Sequence, residues 1–111
     1  IGDGSQLTNL SAVAANLLYR NGTGTNSLLP SASVYSSTAS GSFATISGGT
    51  QHTGSGACSF IGGGNRNAAI GSRAAIGGGY NNQATGILST IGGGGGHTAA
   101  LSATVAGGDV N

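Results

Sequence analysis

The chain has 111 residues, of which 24 are glycine, and Gly, Ala, Ser, Thr and Asn together make up about two-thirds of it. Charged residues account for 5%, against roughly 25% in a typical globular domain. The formal net charge is +1, and the basic residues are three arginines. Neither nucleic acid nor an anionic membrane is an expected partner, because both are bound by clustered Lys and Arg.

Cysteine usage and hydropathy further limit the class of protein to which this chain can belong. Cys58 is the only cysteine, so an intrachain disulfide is excluded and a buried or half-buried free thiol is expected. No apolar run is long enough to span a membrane and no signal-peptide pattern is present, so no membrane insertion is expected. The chain begins at Ile1, which favours a processed product or a piece of a longer protein.

Residues 1–30 do not follow the pattern of the rest and are predicted to form an N-terminal connector or neck. Apolar residues with the spacing of a short coiled coil lie at Leu7, Leu10, Ala14 and Leu17. An irregular neck packed by the same leucines is the alternative. The stretch NGTGTNSLLP is expected to be a flexible joint that ends at Pro30.

A 15-residue repeat occupies residues 31–111 and defines the predicted repeat domain. Isoleucine recurs at every fifteenth position and is followed each time by glycines, and Ala106 falls on the next step. The predicted coils start near residues 31, 46, 61, 76, 91 and 106. A fixed period of this kind indicates a solenoid.

Each block contains two short strands with small inward residues, separated by two turns. The inward residues are Ala, Gly or Ser at alternating positions, and Asn and Gly supply the turns. Two strands and two turns in each repeat make one coil of a flat parallel β-roll, in which coils stack about 4.8 Å apart. The predicted fold class is therefore all-β, a parallel β-roll or β-solenoid of 15-residue coils.

The four isoleucines form one ladder, which we call the Ile ladder: Ile46, Ile61, Ile76 and Ile91. Small inward residues bury little apolar area, so association of several rolls would help to stabilise the fold. The ladder then faces a homotrimer interface, with Phe43, Phe60, Leu88 and Val105 nearby. Alternatively, it fills the interior of its own roll.

Polar residues recur at a second inward position, the polar ladder: Ser37, His52, Asn67, Asn82 and His97. We expect these side chains to hydrogen-bond the turn backbone. His52 and His97 lie three coils apart, about 14 Å, so they cannot ligate one metal within a chain. Three copies of one histidine across a threefold axis are the alternative, and no cofactor or metal is predicted.

Catalysis is not expected. The chain has two aspartates, no glutamate and no base positioned beside a Ser or Cys58. The run IGGGGGH, residues 91–97, lacks the Lys and Ser or Thr of a phosphate-binding loop, so a solenoid turn is the better interpretation.

Four side chains in the turns are candidates for recognition of a partner: Arg66, Tyr80, Asn81 and Asn82. Aromatic and amide groups on neighbouring coils can stack on and hydrogen-bond a sugar, and a trimer would multiply such weak sites. The alternative is a solvated edge without a binding role.

The blocks IGGGNRNAAIGSRAA and IGGGYNNQATGILST resemble repeats in the heads of trimeric autotransporter adhesins. The resemblance implies a β-roll associated in threes, although the family repeat is usually one residue shorter. The segment GDGSQLTNL, residues 2–10, is similar to a connector of phage and other viral fibre proteins and of repetitive bacterial surface proteins. No binding residues carry over from either resemblance.

These observations lead to three functional hypotheses. The first is a homotrimeric fibre segment of a phage or viral fibre on the virion surface, which takes part in host attachment and contacts a cell-surface glycan or protein receptor. The second is the head of a bacterial trimeric surface adhesin, located at the cell surface. The third is an ice-binding solenoid, for which the outward row Thr45, Phe60, Ala75, Thr90 and Val105 lacks a uniform threonine array.

Overall fold

The two strands of each coil form where an inward small or apolar residue follows an outward one. In a computed structural model, which describes residues 19–30 and 37–109, the strands of the repeat are two residues long. The described strands are β1 (Tyr19–Asn21), β2 (Leu28–Pro30), β3 (Thr38–Ala39), β4 (Thr45–Ile46), β5 (Thr53–Gly54), β6 (Phe60–Ile61), β7 (Ala68–Ala69), β8 (Ala75–Ile76), β9 (Gln83–Ala84), β10 (Thr90–Ile91), β11 (Thr98–Ala99) and β12 (Thr104–Val105). Residues 1–18 of the predicted neck, with the coiled-coil positions Leu7, Leu10, Ala14 and Leu17, lie outside the described residues.

Successive coils pair in parallel and build two sheets. One sheet has the order β1-β2-β4-β6-β8-β10-β12 and the other β11-β9-β7-β5-β3. Partners in the middle of the chain lie one full repeat apart, as in Ile46 with Ile61 and Ala69 with Ala84. The predicted all-β parallel β-solenoid is thus confirmed, with about five turns.

The turn after the glycines contains a third ladder, which the sequence pattern did not predict. Single parallel bridges join Thr50, Asn65, Tyr80, Gly95 and Asp109 in sequence. The residue after each of the first four has a positive φ, at Gln51, Arg66, Asn81 and Gly96. This left-handed residue turns the chain from the bridge toward the second sheet.

The first coil starts earlier than residue 31. Strand β2 pairs in parallel with β4, matching Leu28 to Thr45, and in antiparallel with β1. Leu29 is buried in the core, where it takes the place of an isoleucine. Residues 21–30, which were expected to form a flexible joint, therefore belong to a hairpin that covers one end of the solenoid.

The last coil is one residue shorter than the repeat. Val105 rather than Ala106 pairs with Ile91, and Thr104 pairs with Thr90. Ala100 takes the place of the glycine row Gly41, Gly56, Gly71 and Gly86, because its carbonyl accepts from Ala103 as that of Gly86 accepts from Ser89. The missing residue is therefore the one before this row, the counterpart of Thr85. The outward row at this position therefore ends in Thr104, not Val105.

Close stacking explains the same glycine row. A Cβ placed on Gly71 would overlap the carbonyl oxygen of Gly86. The backbones of neighbouring coils therefore leave no space for a side chain at this turn. The interior itself is filled by the Ile ladder and by alanines such as Ala69 and Ala84.

Candidate functional site

The Ile ladder lies inside the chain. Ile46, Ile61, Ile76 and Ile91 are each 0% exposed in the single chain. A side chain without exposed area leaves nothing for a partner to contact, so the trimer-interface alternative is corrected for these four residues. Their burial contributes roughly 1.5–3 kcal/mol each to folding.

The polar ladder runs beside the isoleucines as a continuous set of hydrogen bonds between coils. The His52 backbone N–H donates to Ser37 Oγ at 3.1 Å, and the Asn67 N–H donates to His52 Nδ1 at 3.1 Å. The Asn82 and His97 N–H groups donate in the same way to Asn67 Oδ1 and Asn82 Oδ1, each at 3.0 Å. Each polar side chain thus pairs with the backbone of the next coil.

The amides of this ladder also bind the turn carbonyls, as the sequence predicted. Asn67 Nδ2 donates to the carbonyls of Gly63 and Gly79 at 2.9 and 3.0 Å. Asn82 Nδ2 donates to Gly78 and Gly94 at 3.1 and 3.0 Å. Asn82 is therefore a buried structural residue, which corrects its prediction as a turn-facing recognition residue.

His52 is less well matched to its surroundings than the two asparagines. Its Nδ1 accepts a hydrogen bond, so the neutral ring carries its proton on Nε2. That Nε2 is buried without a hydrogen-bond partner in the described residues. Desolvation by burial lowers the pKa of His52 below its ordinary value, although nearby backbone groups of Asn67, Gly48 and Gly64 act in the opposite direction.

Neither histidine is placed to bind a metal between copies of the chain. His52 and His97 are both 0% exposed, and His97 Nε2 lies 3.1 Å from the Gly108 carbonyl oxygen. Their side chains face the interior of one chain, so the three-copy alternative is corrected. The part of the chain that the structure describes contains no group of three His, Cys, Asp or Glu residues that could hold a metal.

The three remaining recognition candidates meet on one side of the solenoid, which we call the polar edge: Thr50, Gln51, Asn65, Arg66, Tyr80 and Asn81. Arg66 Nε donates to Gln51 Oε1 at 3.0 Å, and Arg66 Nη1 lies 3.5 Å from the Tyr80 hydroxyl oxygen. Arg66, Tyr80 and Asn81 are exposed. Asn65 Nδ2 donates to Thr50 Oγ1, so the row is preorganised by contacts between coils.

The opposite side of the solenoid and the sheet face next to it carry exposed apolar residues, and we call this surface the apolar edge: Leu28, Phe43, Phe60, Ile70, Ile87, Leu88 and Leu101. Phe43 and Leu88 are 57% and 53% exposed. Both have a positive φ, 60° and 63°. Phe43, Phe60 and Leu88 were predicted to lie near the Ile ladder at an interface, whereas the ladder points inward and these residues point outward.

Cys58 and Arg73 lie on the same row as Phe43 and Leu88, also at positive φ. Cys58 is exposed, so the prediction of a buried or half-buried thiol was wrong. The row turns outward because each of its residues is the left-handed corner between the two sheets. The two free positions in the sequence pattern were the signal for this corner.

Asp109 lies on the same side of the solenoid as the polar edge, and the sequence pattern did not predict this position. The 15-residue step places it one position too early, whereas the shortened last coil brings it into the bridge ladder with Gly95. No spacing rule reveals this shift, because it depends on which turn lost a residue.

Comparisons with known proteins add no relatives: no family model, curated protein or solved structure matches this chain. In residues 19–30 and 37–109 there is also no helix with the length and apolar character needed to cross a membrane.

Proposed function

We propose that the chain is a segment of a homotrimeric fibre on a virion surface and that it takes part in attachment to a host. The solenoid fold, with about five turns, is compatible with this role. The resemblance of the repeats to trimeric adhesin heads, and of residues 2–10 to a fibre connector, supports association in threes.

The observation that carries the proposal is the pair of large apolar side chains that the apolar edge exposes, Phe43 and Leu88, at corners that have a positive φ in each described coil. A left-handed φ costs an ordinary residue roughly 1–2 kcal/mol, and Asn or Gly adopts it more readily. Phe43 and Leu88 take this conformation without being buried. Within one chain their large apolar side chains contribute little, so their value lies in contact with a partner.

The chemistry of this edge favours another copy of the same chain as the partner. Among the described residues, the edge has one charged neighbour, Arg73, which interrupts an otherwise uncharged surface. Phe43 and Phe60 lie toward one end of this edge, Leu88 and Leu101 lie toward the other, and Ile70 lies on a coil between them. A parallel copy presents the same residues at the same heights, as symmetric association requires.

The native mass of the whole chain tests the proposal. Light scattering or native mass spectrometry should give a species near three times 10.4 kDa. The double variant Phe43→Asn with Leu88→Asn should dissociate to a folded monomer, because Asn suits a positive φ and removes the apolar surface. Its circular dichroism spectrum should stay that of the parent.

The matched control is Gln51→Asn with Arg66→Asn on the polar edge. These residues also have positive φ, 57° in both cases, so the chemical change and backbone effect are similar. We expect the control to remain trimeric. A folded wild-type monomer, or equal dissociation of both double variants, would contradict the proposal.

The bacterial adhesin head has the same shape and remains the second candidate. Flanking sequence separates the two: a signal peptide and a membrane-anchor domain indicate the adhesin, and a capsid or baseplate attachment domain indicates the virus. Ice binding is the third candidate, for which the outward row Thr45, Phe60, Ala75, Thr90 and Thr104 is interrupted twice. Thermal hysteresis of a monomer would favour it.

A further inference from the structure

The polar edge contains a gap one coil wide. In the bridge ladder, Thr50, Asn65, Tyr80 and Asp109 carry side chains, but Gly95 between the last two does not. Neighbouring coils lie about 4.8 Å apart, so Tyr80 and Asp109 start about 9.6 Å apart. The gap therefore separates an aromatic residue from a carboxylate, and we call it the Gly95 notch.

Tyr80 forms one wall of the notch. Its side chain is 52% exposed, and its hydroxyl lies toward Arg66 on the preceding coil. The following coil carries only Gly95 at this position, so no side chain from that row covers the tyrosine on that side. A phenol ring with one uncovered side presents a large apolar surface and a polar rim.

The floor of the notch is backbone. Gly95 has an ordinary φ, and a Cβ there would meet only the Tyr80 carbonyl oxygen at 3.6 Å. The fold therefore does not require glycine at this position, unlike at Gly71. The next residue, Gly96, donates its N–H to the Tyr80 carbonyl at 3.0 Å, which holds the floor flat against the preceding coil.

Asp109 and Asn81 supply polar groups around the notch. Asp109 is exposed and pairs with Gly95 through the bridge ladder. Asn81 is exposed at the corner beside Tyr80. A carboxylate accepts hydrogen bonds from hydroxyl groups, and an amide both donates and accepts.

We propose that the Gly95 notch binds one neutral hexopyranose ring of a host glycan. Two van der Waals separations of about 4 Å fit within the span of about 9.6 Å, so one pyranose chair fits between the walls. The C–H face of the sugar packs on Tyr80, and its hydroxyls bond Asp109 and Asn81. This assignment of a ligand class rests on the attachment role proposed above.

The charges favour a neutral sugar over an acidic one. A sugar carboxylate in the notch would lie beside the Asp109 carboxylate, and like charges repel at this range. The Arg66 guanidinium does not offset this effect, because it lies on the far side of Tyr80 and donates to Gln51. The apolar edge is on the opposite side of the solenoid, so a trimer leaves three notches accessible.

Saturation-transfer NMR on the whole chain tests the proposal with methyl α-glucopyranoside, methyl β-galactopyranoside, methyl α-mannopyranoside and methyl β-glucuronide. We expect at least one neutral glycoside to bind, with a dissociation constant on the order of millimolar for so small a contact, and the glucuronide to bind more weakly. Addition of the bound glycoside should shift the Tyr80 ring resonances.

Three variants locate the site. Gly95→Thr should abolish binding by filling the notch, and the fold should tolerate it because Thr50 occupies the same row. Tyr80→Thr should weaken binding about tenfold, and Asp109→Asn about fivefold, through loss of a charge-assisted hydrogen bond. The matched control is Gly63→Thr, since a Cβ at Gly63 meets nothing within 4 Å and lies away from the notch.

The result that supports the notch is binding that is lost in Gly95→Thr and kept in Gly63→Thr. Absence of binding for all three neutral glycosides, or unchanged binding in Gly95→Thr, would overturn it. The native mass separates this outcome from the fibre proposal. A trimer that binds no sugar overturns only the notch, and a sugar-binding monomer overturns only the trimeric fibre.

Discussion

Gly54 lies where the other coils carry an inward alanine, at Ala39, Ala69, Ala84 and Ala99. A Cβ at Gly54 would meet Ser59 Oγ at 3.4 Å and Ile46 Cγ1 at 3.5 Å, which are ordinary contacts, and its φ is not positive. We expect Gly54→Ala to raise the free energy of unfolding by about 0.4–1 kcal/mol, because it restricts the unfolded chain. Chemical denaturation measures this change.

Gly71→Ala is the matched comparison, since the same methyl group there overlaps the Gly86 carbonyl. We expect loss of cooperative unfolding or a large drop in the denaturation midpoint. Equal stability of the two alanine variants would contradict the coil spacing that the structure shows.

His52 should make stability depend on pH. Its pKa in the folded chain is lowered by burial, so around and below the ordinary value of 6.5 the unfolded chain binds more protons than the folded chain. The contribution of His52 to the free energy of unfolding should therefore be fully present above pH 6.5. It should be lost progressively as the pH decreases below that value. Thermal melting at a series of pH values from neutral to mildly acidic measures the slope.

His52→Asn should remove much of that slope and raise stability at neutral pH by about 1 kcal/mol. An asparagine at this position can donate to the Gly48 and Gly64 carbonyls, as Asn67 does to Gly63 and Gly79. A variant with an unchanged pH slope would show that another group is responsible.

At the scale of the structural element, the positions of the polar ladder suit side chains that can both donate and accept hydrogen bonds. Asn82 donates to two carbonyls and accepts from the His97 N–H. Asn82→Asp places a carboxylate oxygen beside those carbonyls and should lower the free energy of unfolding by more than about 3 kcal/mol. Denaturant titration at neutral pH tests this.

Asn82→His is the control for that substitution, because His52 and His97 occupy equivalent positions in the ladder. It should cost less than half as much as Asn82→Asp. If the histidine variant were the more damaging of the two, the hydrogen-bond pattern assigned to the ladder would be wrong.

The strands and inward residues could be predicted from the sequence because the same pattern of small residues recurs in each 15-residue repeat. Small residues at alternate positions place Ala69 inward, and turn chemistry assigns Asn67 to the backbone of the glycine loop. The direction of the Ile ladder required the structure, since an apolar row suits an interior and an interface equally.

Both ends of the solenoid depart from the period, and this limited the prediction of the site. The pairing of Leu28 with Thr45 spans two positions more than the repeat, and that of Ile91 with Val105 spans one position fewer. Residue spacing alone does not reveal which turn has gained or lost a residue. The strand pairing is needed to locate the change. The 15-residue period therefore does not align Asp109 with Tyr80 and Gly95, whereas the pairing does.

For the whole molecule, the stability of a solenoid is a sum over coils and the contacts between neighbours. Deletion of residues 61–75 removes one complete coil and lets Ile46 pair with Ile76. The shortened chain should fold to a parallel solenoid with a lower melting temperature. Circular dichroism and thermal melting follow both properties.

Deletion of residues 61–68 is the control, since it removes fewer residues but leaves half a coil. Its remaining turn cannot meet a turn on the next coil, so the variant should unfold or aggregate. A stable fold for this variant, or none for the complete-coil deletion, would argue against independent coils.

The parallel pairing between coils has a mechanical consequence. The strands lie across the long axis, and the hydrogen bonds between coils point along it. Tension applied to the two ends of the solenoid loads the hydrogen bonds between coils, so that the coils separate one after another. Each coil that opens releases one repeat of chain, about 50 Å when fully extended. A solenoid built this way lengthens in small steps under load rather than breaking at once.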